Sequence, residues 1–415
     1  MAVVSYVALL VGMGFLVARN LPALTVACLA IIAFICPRWL LLAGAIVTNR
    51  ALVGYEVIGH LQAADILLLI FLLRWLSGML ASGVLRTPPR ALTLWLGTFL
   101  LWAWISLVLA SSWQTGWALG RITMYAAVFV AASMDAHSAR PLLRFIAAYA
   151  CLEALLALIG VTARVEGRLY GIVGDPVQTG LLMLAGLAAV RTLGMFPRRI
   201  AYVLLWATIV LTFTRSIWVA SSVSLLVVAW PNLRTRLMRV AAVTLLALAA
   251  SWWLIPVATT TFHLSSESID LRVQSWTSGV HLVQSKPIVG NGWAIGTASD
   301  ISTPPPFNLW INVAASTGIP GALLLTGFLV RLTASLAYSR EALPRVWFQY
   351  VVGFLVLSLG EMTVWAAGSS TIEFFALTGA VVGALDTTLA SPRREGASPG
   401  KGLQRAHASL PSPSA

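Results

Sequence analysis

Residues Glu267 to Gly321 read ESIDLRVQSWTSGVHLVQSKPIVGNGWAIGTASDISTPPPFNLWINVAASTGIPG, and their place in the chain decides the fold. The stretch is polar, rich in turn residues, and interrupted by three consecutive prolines (Pro304 to Pro306). Before it runs a long series of apolar segments of about 20 residues, the length that crosses the hydrocarbon core as a helix. After it come two or three more. A hydrophilic insert of this size among spans must lie on one side of a membrane. The chain therefore reads as an all-α polytopic integral membrane protein with one large extracytoplasmic loop, 259–318.

The composition agrees. Of 415 residues, 59% are hydrophobic and 10% charged, which no water-soluble globular class matches. The apolar runs are continuous, so the alternating segments of a β-barrel are excluded. Spans are expected near 3–18, 21–36, 63–81, 91–112, 118–134, 141–162, 176–195, 198–213, 216–230, 237–258, 319–337, 346–367 and 371–388. A shorter run at 38–48 is a further span or a re-entrant piece, which gives about 12–14 transmembrane helices. The first residues lack a basic region and a small-residue cleavage site and read as a span, not a cleaved signal.

The net charge of +13 reads as topology. Arg86/Arg90, Arg140/Arg144, Arg191/Arg198/Arg199, Arg234/Arg236/Arg239, Arg331/Arg340/Arg345 and Arg393/Arg394 fall on alternate loops, as the positive-inside rule asks of cytoplasmic ones. Both termini are then cytoplasmic, and loops 48–62, 163–175 and 259–306 lie outside. No basic group is interleaved with stacking aromatics, so nucleic acid is not an expected partner. The transmembrane domain is read as 1–390. The tail 391–415, rich in Pro, Ser, Gly and Arg, reads as disordered. Cys28, Cys36 and Cys151 lie in apolar runs without disulfide or metal spacing and read as packing residues.

Ionisable residues within apolar segments mark candidate sites. Arg215 sits in LTFTRSIWVA, where two spans meet at their outer ends with almost no loop. Its fork of donors suits a phosphate; the alternative is a snorkelling arginine at the interface. In the outer loop 164–176, Gly171 and Gly174 allow close approach of backbone to a ligand beside Arg168. Asp175-Pro176 suits either a helix start, with Asp175 as N-cap, or a ligand contact. Within the large loop, Arg272, Trp276 and Gly279 share one face of a helix that can lie on the outer interface. Arg272 beside Arg215 would suit a pyrophosphate; the alternative is a solvated bridge to Asp270 or Glu267. His263 and His281 are outside and can act as bases or be plain surface residues. Glu153 is expected to neutralise Arg121 of the neighbouring span. No carboxylate or histidine spacing suggests a metal.

Four segments taken together carry a resemblance. RLYGIVGDP (168–176), TFTRSIWVA (212–220), LRVQSWTSGVHLVQSKPIVGNGWAIG (271–296) and FNLWINVAASTGIPGALL (307–324) resemble, in order, signatures of the O-antigen ligase and polymerase superfamily. The resemblance covers roughly Gly167 to Ala337. It implies a GT-C-like bacterial enzyme of the cytoplasmic (inner) membrane, acting on polyprenyl-pyrophosphate-linked glycans without cofactor or metal. It further implies that Arg215 and Arg272 hold the donor pyrophosphate, with Trp276 completing an R-x-x-x-W element. Pro287-Ile-Val-Gly290-Asn-Gly292 resembles the family's P-x-x-G-x-G turn, and Asn308 the asparagine of its His-Asn pair. One position departs: the histidine of that pair, the implied base for the acceptor hydroxyl, is Phe307 here. His281, His263, Asp300 or Glu267 then remains for that task.

The expected activity is transfer of the glycan to a glycan or lipid acceptor, or its polymerisation, in surface polysaccharide biosynthesis. Arg168, Asp175, Trp276 and Asn308 are the expected substrate contacts, Arg215 and Arg272 the pyrophosphate ligands, and His281 the candidate base. Two alternatives stand beside it. One is a transporter or flippase of a lipid-linked or amphipathic substrate; the other is a non-catalytic partner in a polysaccharide-assembly complex, which Phe307 favours.

Overall fold

A computed structural model describes residues 36–51, 56–58, 61–83, 88–110, 116–160, 164–165, 168–169, 175–212, 214–229, 267–292, 308–339, 342–359 and 369–390. The expected spans near 3–18, 21–36 and 237–258 lie outside the described residues. So do the tail, Phe307, Asp300, His263 and the side chains of Arg168, Arg215 and Glu267.

The described helices are α1 (Arg38–Ala51), α2 (Ala63–Ser82), α3 (Arg90–Leu109), α4 (Gly116–Ser133), α5 (Ala139–Leu158), α6 (Pro176–Ala189), α7 (Met195–Leu211), α8 (Arg215–Ala229), α9 (Glu267–Ser285), α10 (Leu309–Ala337), α11 (Ala342–Ser358) and α12 (Ser369–Ala390). Two short antiparallel pairs, Glu56–Ile58 with Leu61–Gln62 and Arg164–Val165 with Arg168–Leu169, form hairpins between helices. Among the described residues, α2, α3, α5 and α10 are long and apolar enough to cross a membrane. The protein is an all-α polytopic membrane protein.

The last helix is the axis. α12 contacts α1, α4, α5, α6 and α11, and every residue from Ser370 to Gly383 is buried. Apart from Glu373 and a few hydroxyls, its buried stretch is apolar on all sides, the pattern of a helix surrounded by others. Gly379 and Gly383, one turn apart, let it meet α4 backbone to backbone. A Cβ on either would overlap the Phe129 or Ser133 carbonyl, the small-residue contact by which helices approach in lipid. Phe129 stacks edge-on against Phe328 of α10 and Phe375 of α12, joining these two helices to α4.

One end of this bundle is polar inside. Arg50, at the end of α1, is fully buried, with Glu153 of α5 and Glu373 of α12 also at 0% exposure. Its Nε and Nη2 donate to the two oxygens of Glu153 at 3.3 and 3.0 Å. Nη1 donates to Glu373 Oε1 at 2.7 Å and to the Gln178 carbonyl of α6 at 3.2 Å. One guanidinium thus ties four helices. The expected Glu153–Arg121 pair is therefore corrected. Arg121 instead pairs with Asp65 of α2 at 3.0 Å and donates to Gln62 Oε1 at 2.9 Å, and Tyr125 donates its hydroxyl to Asp65. A buried carboxylate takes the cation with the best fork geometry, and two separate pairs leave neither arginine unmatched.

Candidate functional site

The Pro287–Gly292 turn is where the polar loop meets the bundle, and the reason is a broken helix. In α10, Gly318 adopts φ 74° and ψ 173°, and Pro320 has no N–H to give. The carbonyls of Ala315, Ser316 and Thr317 thereby lose their helical donors. The turn supplies replacements. Asn291 N–H donates to Ala315 O at 2.8 Å and Gly292 N–H to Ser316 O at 3.0 Å; in return Ile319 N–H donates to Pro287 O at 2.8 Å. From α3, Trp102 Nε1 donates to Thr317 O at 2.8 Å, and the Ser106 hydroxyl reaches Ser316 O and Val289 O.

The close approach demands glycine. Gly290 and Gly292 have φ of 76° and 80°, where a side chain is strained. A Cβ on Gly290 would overlap the Ser316 carbonyl, and one on Gly318 the Ile288 carbonyl. The P-x-x-G-x-G sequence is thus a clasp holding α9 on the kink of α10. Asn291 also closes it from behind, donating through Nδ2 to Leu282 O of α9 at 2.7 Å.

The clasp positions α9. Ser275 and Gly279 are buried, whereas Arg272 and Trp276 are half-buried beside that seam and His281 is exposed. Leu271, Val273 and Val280 are exposed apolar residues on the same helix. This is the amphipathic character expected of a helix at an interface.

Asn308 begins α10. Its Oδ1 accepts from Trp310 N–H at 2.9 Å and Ile311 N–H at 3.1 Å, and its Nδ2 donates to Leu359 O of the α11 end at 2.7 Å. The side chain is an N-cap and a strut between two helices. Asn308→Ala is expected to cost about 1–2 kcal/mol, from loss of the cap and of the bond to Leu359. Asn308→Asp, which keeps the cap alone, should fall between in thermal unfolding of the detergent-purified protein.

Arg215 is the first residue of α8, immediately after the tight turn from α7. Thr212 and Thr214 fold their hydroxyls back onto the carbonyls of Ile209 and Thr212, and Trp218 Nε1 donates to Ile209 O at 3.0 Å. The strand carrying Arg168 lies against α7, the helix that leads into this turn. With the Arg215 side chain outside the described residues, its approach to Arg272 stays an expectation of the sequence. Asp175 caps α6, accepting from Val177 N–H at 2.8 Å, with Pro176 at the first helical position. Burial pushes its carboxyl above the ordinary aspartate range, against the pull of those backbone donors and of Arg50.

The residues that sequence reasoning missed are Arg50 and Glu373. Each is an ionisable residue within an apolar run, a signal that was available. Their partners stand 103 and 323 positions along the chain from Arg50. Among the described residues, no group of histidine, cysteine and carboxylates is arranged to hold a metal ion.

Fold and site together define a class: a polytopic helical membrane protein with an amphipathic R-x-x-x-W helix clasped to a kinked span. Residues 200–326 match the model of a family described as O-antigen ligase, which supports the O-antigen ligase and polymerase superfamily for this chain. The matched segment takes in Arg215, Arg272, Trp276, the clasp and Asn308, and starts after Arg168 and Asp175. No curated protein matches the chain. The described spans make the chain a multi-pass membrane protein, and the match, which covers under a third of its length, supports an O-antigen ligase or polymerase type of function in polysaccharide biosynthesis.

Proposed function

We propose that the chain transfers or polymerises an undecaprenyl-pyrophosphate-linked glycan at the outer face of the cytoplasmic membrane. The observation that carries this reading is the clasp. It fixes the helix bearing Arg272 and Trp276 onto the membrane bundle, inside the segment that matches the ligase family. An arginine anchored at the membrane boundary can meet a pyrophosphate whose lipid tail lies between spans.

In the proposed reaction an acceptor hydroxyl oxygen attacks the anomeric carbon of the donor glycan. The bond from that carbon to the phosphate oxygen breaks, and the electron pair leaves with undecaprenyl pyrophosphate. Arg215 and Arg272 hold the growing negative charge, with Arg168 as a third donor, so that arginines rather than a metal ion stabilise the leaving group. His281 takes the hydroxyl proton. Asp175, Trp276 and Asn308 shape the substrate cleft. The loop 259–318 is outside, and both termini and the tail 391–415 are cytoplasmic.

In cells lacking the protein, complementation with Arg272→Ala should give about a hundredfold less transfer than wild type. Outward-facing lipid-linked glycan should accumulate, with loss of long or attached polymer. Short attached units would single out a polymerase. Accumulation on the inner face would replace this reading with a flippase, and unchanged pools would end both.

A further inference from the structure

The end of the bundle opposite the Arg50 network holds a cavity of about 390 Å³ between the start of α1, the end of α2 and the turn from α4 to α5. Arg38, Trp75, Met79, Met134, Asp135 and His137 line it. We propose that this cavity binds the headgroup of a zwitterionic phospholipid with a primary ammonium, its phosphate on Arg38 and its ammonium on Asp135. The proposal is independent of the transfer reaction.

Arg38 is built into place. Its Nη2 donates to the Arg74 carbonyl at 3.3 Å, while Arg74 donates through Nη1 to the Cys36 carbonyl, so the two arginines clasp α1 to α2. Gly78 clears the path, since a Cβ there would overlap the Arg38 guanidinium. Asp135 accepts from the Ser138 hydroxyl at 2.8 Å through Oδ2. Arg38 and Asp135 are both described residues, and no ion pair joins them. Arg38 and Asp135 therefore face one cavity without closing on each other. A purely anionic ligand would meet Asp135, and a purely cationic one Arg38. A zwitterion satisfies both.

The surroundings specify a lipid. α2 is long enough to span, so its last turn, where Met79 and Ser82 line the cavity, lies at headgroup depth. Leu69, Leu73, Leu76 and Leu80 form an outward ridge along α2, with Leu73 at 65% and Leu80 at 71% exposure. That ridge lies on the other side of α2 from the cavity-lining Trp75, Gly78 and Met79 and marks the helix as lipid-facing beside the cavity.

The test is native mass spectrometry of the delipidated full chain, titrated in mixed micelles with phosphatidylethanolamine, phosphatidylglycerol and soluble phosphoethanolamine. Wild type should bind phosphatidylethanolamine saturably and in preference to phosphatidylglycerol. Arg38→Gln should bind both lipids about tenfold more weakly, and Asp135→Asn should reverse the preference toward phosphatidylglycerol. Both positions are partly exposed, and unchanged thermal unfolding of each variant would exclude misfolding as the cause. Equal binding of the two lipids by wild type would overturn the proposal, as would variants that bind like wild type. Phosphoethanolamine bound as tightly as the lipid would assign the cavity to a soluble ligand instead.

Discussion

Arg50→Met is expected to be among the most destabilising single changes in the bundle, at about 3–5 kcal/mol. The methionine fills much the same space, so the loss is one of charge. Glu153 and Glu373 are wholly buried, and the Arg50 guanidinium donates to both, while the Glu373 Oε2 has no hydrogen-bond partner even in the intact network. Removing the guanidinium strands two carboxylates away from water and frees the Gln178 carbonyl as well. Thermal unfolding of the purified protein in detergent should show the fall. The network's role is checked by the triple variant Arg50→Met, Glu153→Leu, Glu373→Leu. Replacing a whole buried ionic cluster by apolar side chains is often neutral, so much of the stability should return. A triple variant as unstable as the single one would show that the network is not what holds these four helices together. Glu153→Gln should also be worse than Glu373→Gln, because Glu153 takes two of the Arg50 donor nitrogens and Glu373 takes one.

The membrane class, the helix around Arg272 and the α7–α8 hairpin at Arg215 were legible because each depends on local sequence. Length and continuity of apolar runs decide a span, and helical spacing decides an amphipathic face. Asp175-Pro176 announced a helix start in the same local way, and the structure uses it as one. Ion pairing was not legible. Glu153 looked toward Arg121 because their spans are neighbours in sequence, yet α5 packs against α1 and α12, which bring Arg50 and Glu373. Nor did the sequence distinguish α12 from any other terminal span. Its central place rests on Gly379 and Gly383 meeting the backbone of α4, a pattern visible only as two glycines four apart. The P-x-x-G-x-G turn was recognised as a motif, but its purpose depends on a kink that lies beyond it in the chain. The sequence puts the end of the loop at 318 and the start of the span at 319. In the structure, one kinked helix crosses that boundary, and the turn repairs the break.

That repair sets the second large effect, Gly318→Ala. A methyl group at Gly318 would enter the Ile288 carbonyl, which is backbone and cannot swing aside. The backbone at φ 74° and ψ 173°, a region used essentially by glycine alone, adds about 1–2 kcal/mol for any residue with a side chain. If the turn withdraws, four hydrogen bonds go with it: Asn291 N–H to Ala315, Gly292 N–H to Ser316, Ile319 N–H to Pro287, and Asn291 Nδ2 to Ala315. At about 1 kcal/mol each they bring the total to roughly 5–6 kcal/mol. The bundle should survive, because α10 still packs on α3 and α11 while only its link to α9 is severed. The expected result is a membrane-inserted protein in which α9 becomes sensitive to added protease and glycan transfer falls at least as far as in Arg272→Ala. Gly97→Ala on α3 is the matched control: nothing lies within 4 Å of the added Cβ, and helix propensity favours alanine, so neither readout should worsen. Protease resistance of α9 in Gly318→Ala would show that α9 is held by its seam of Ser275 and Gly279, not by the clasp. Transfer retained with α9 released would free the reaction from Arg272 altogether.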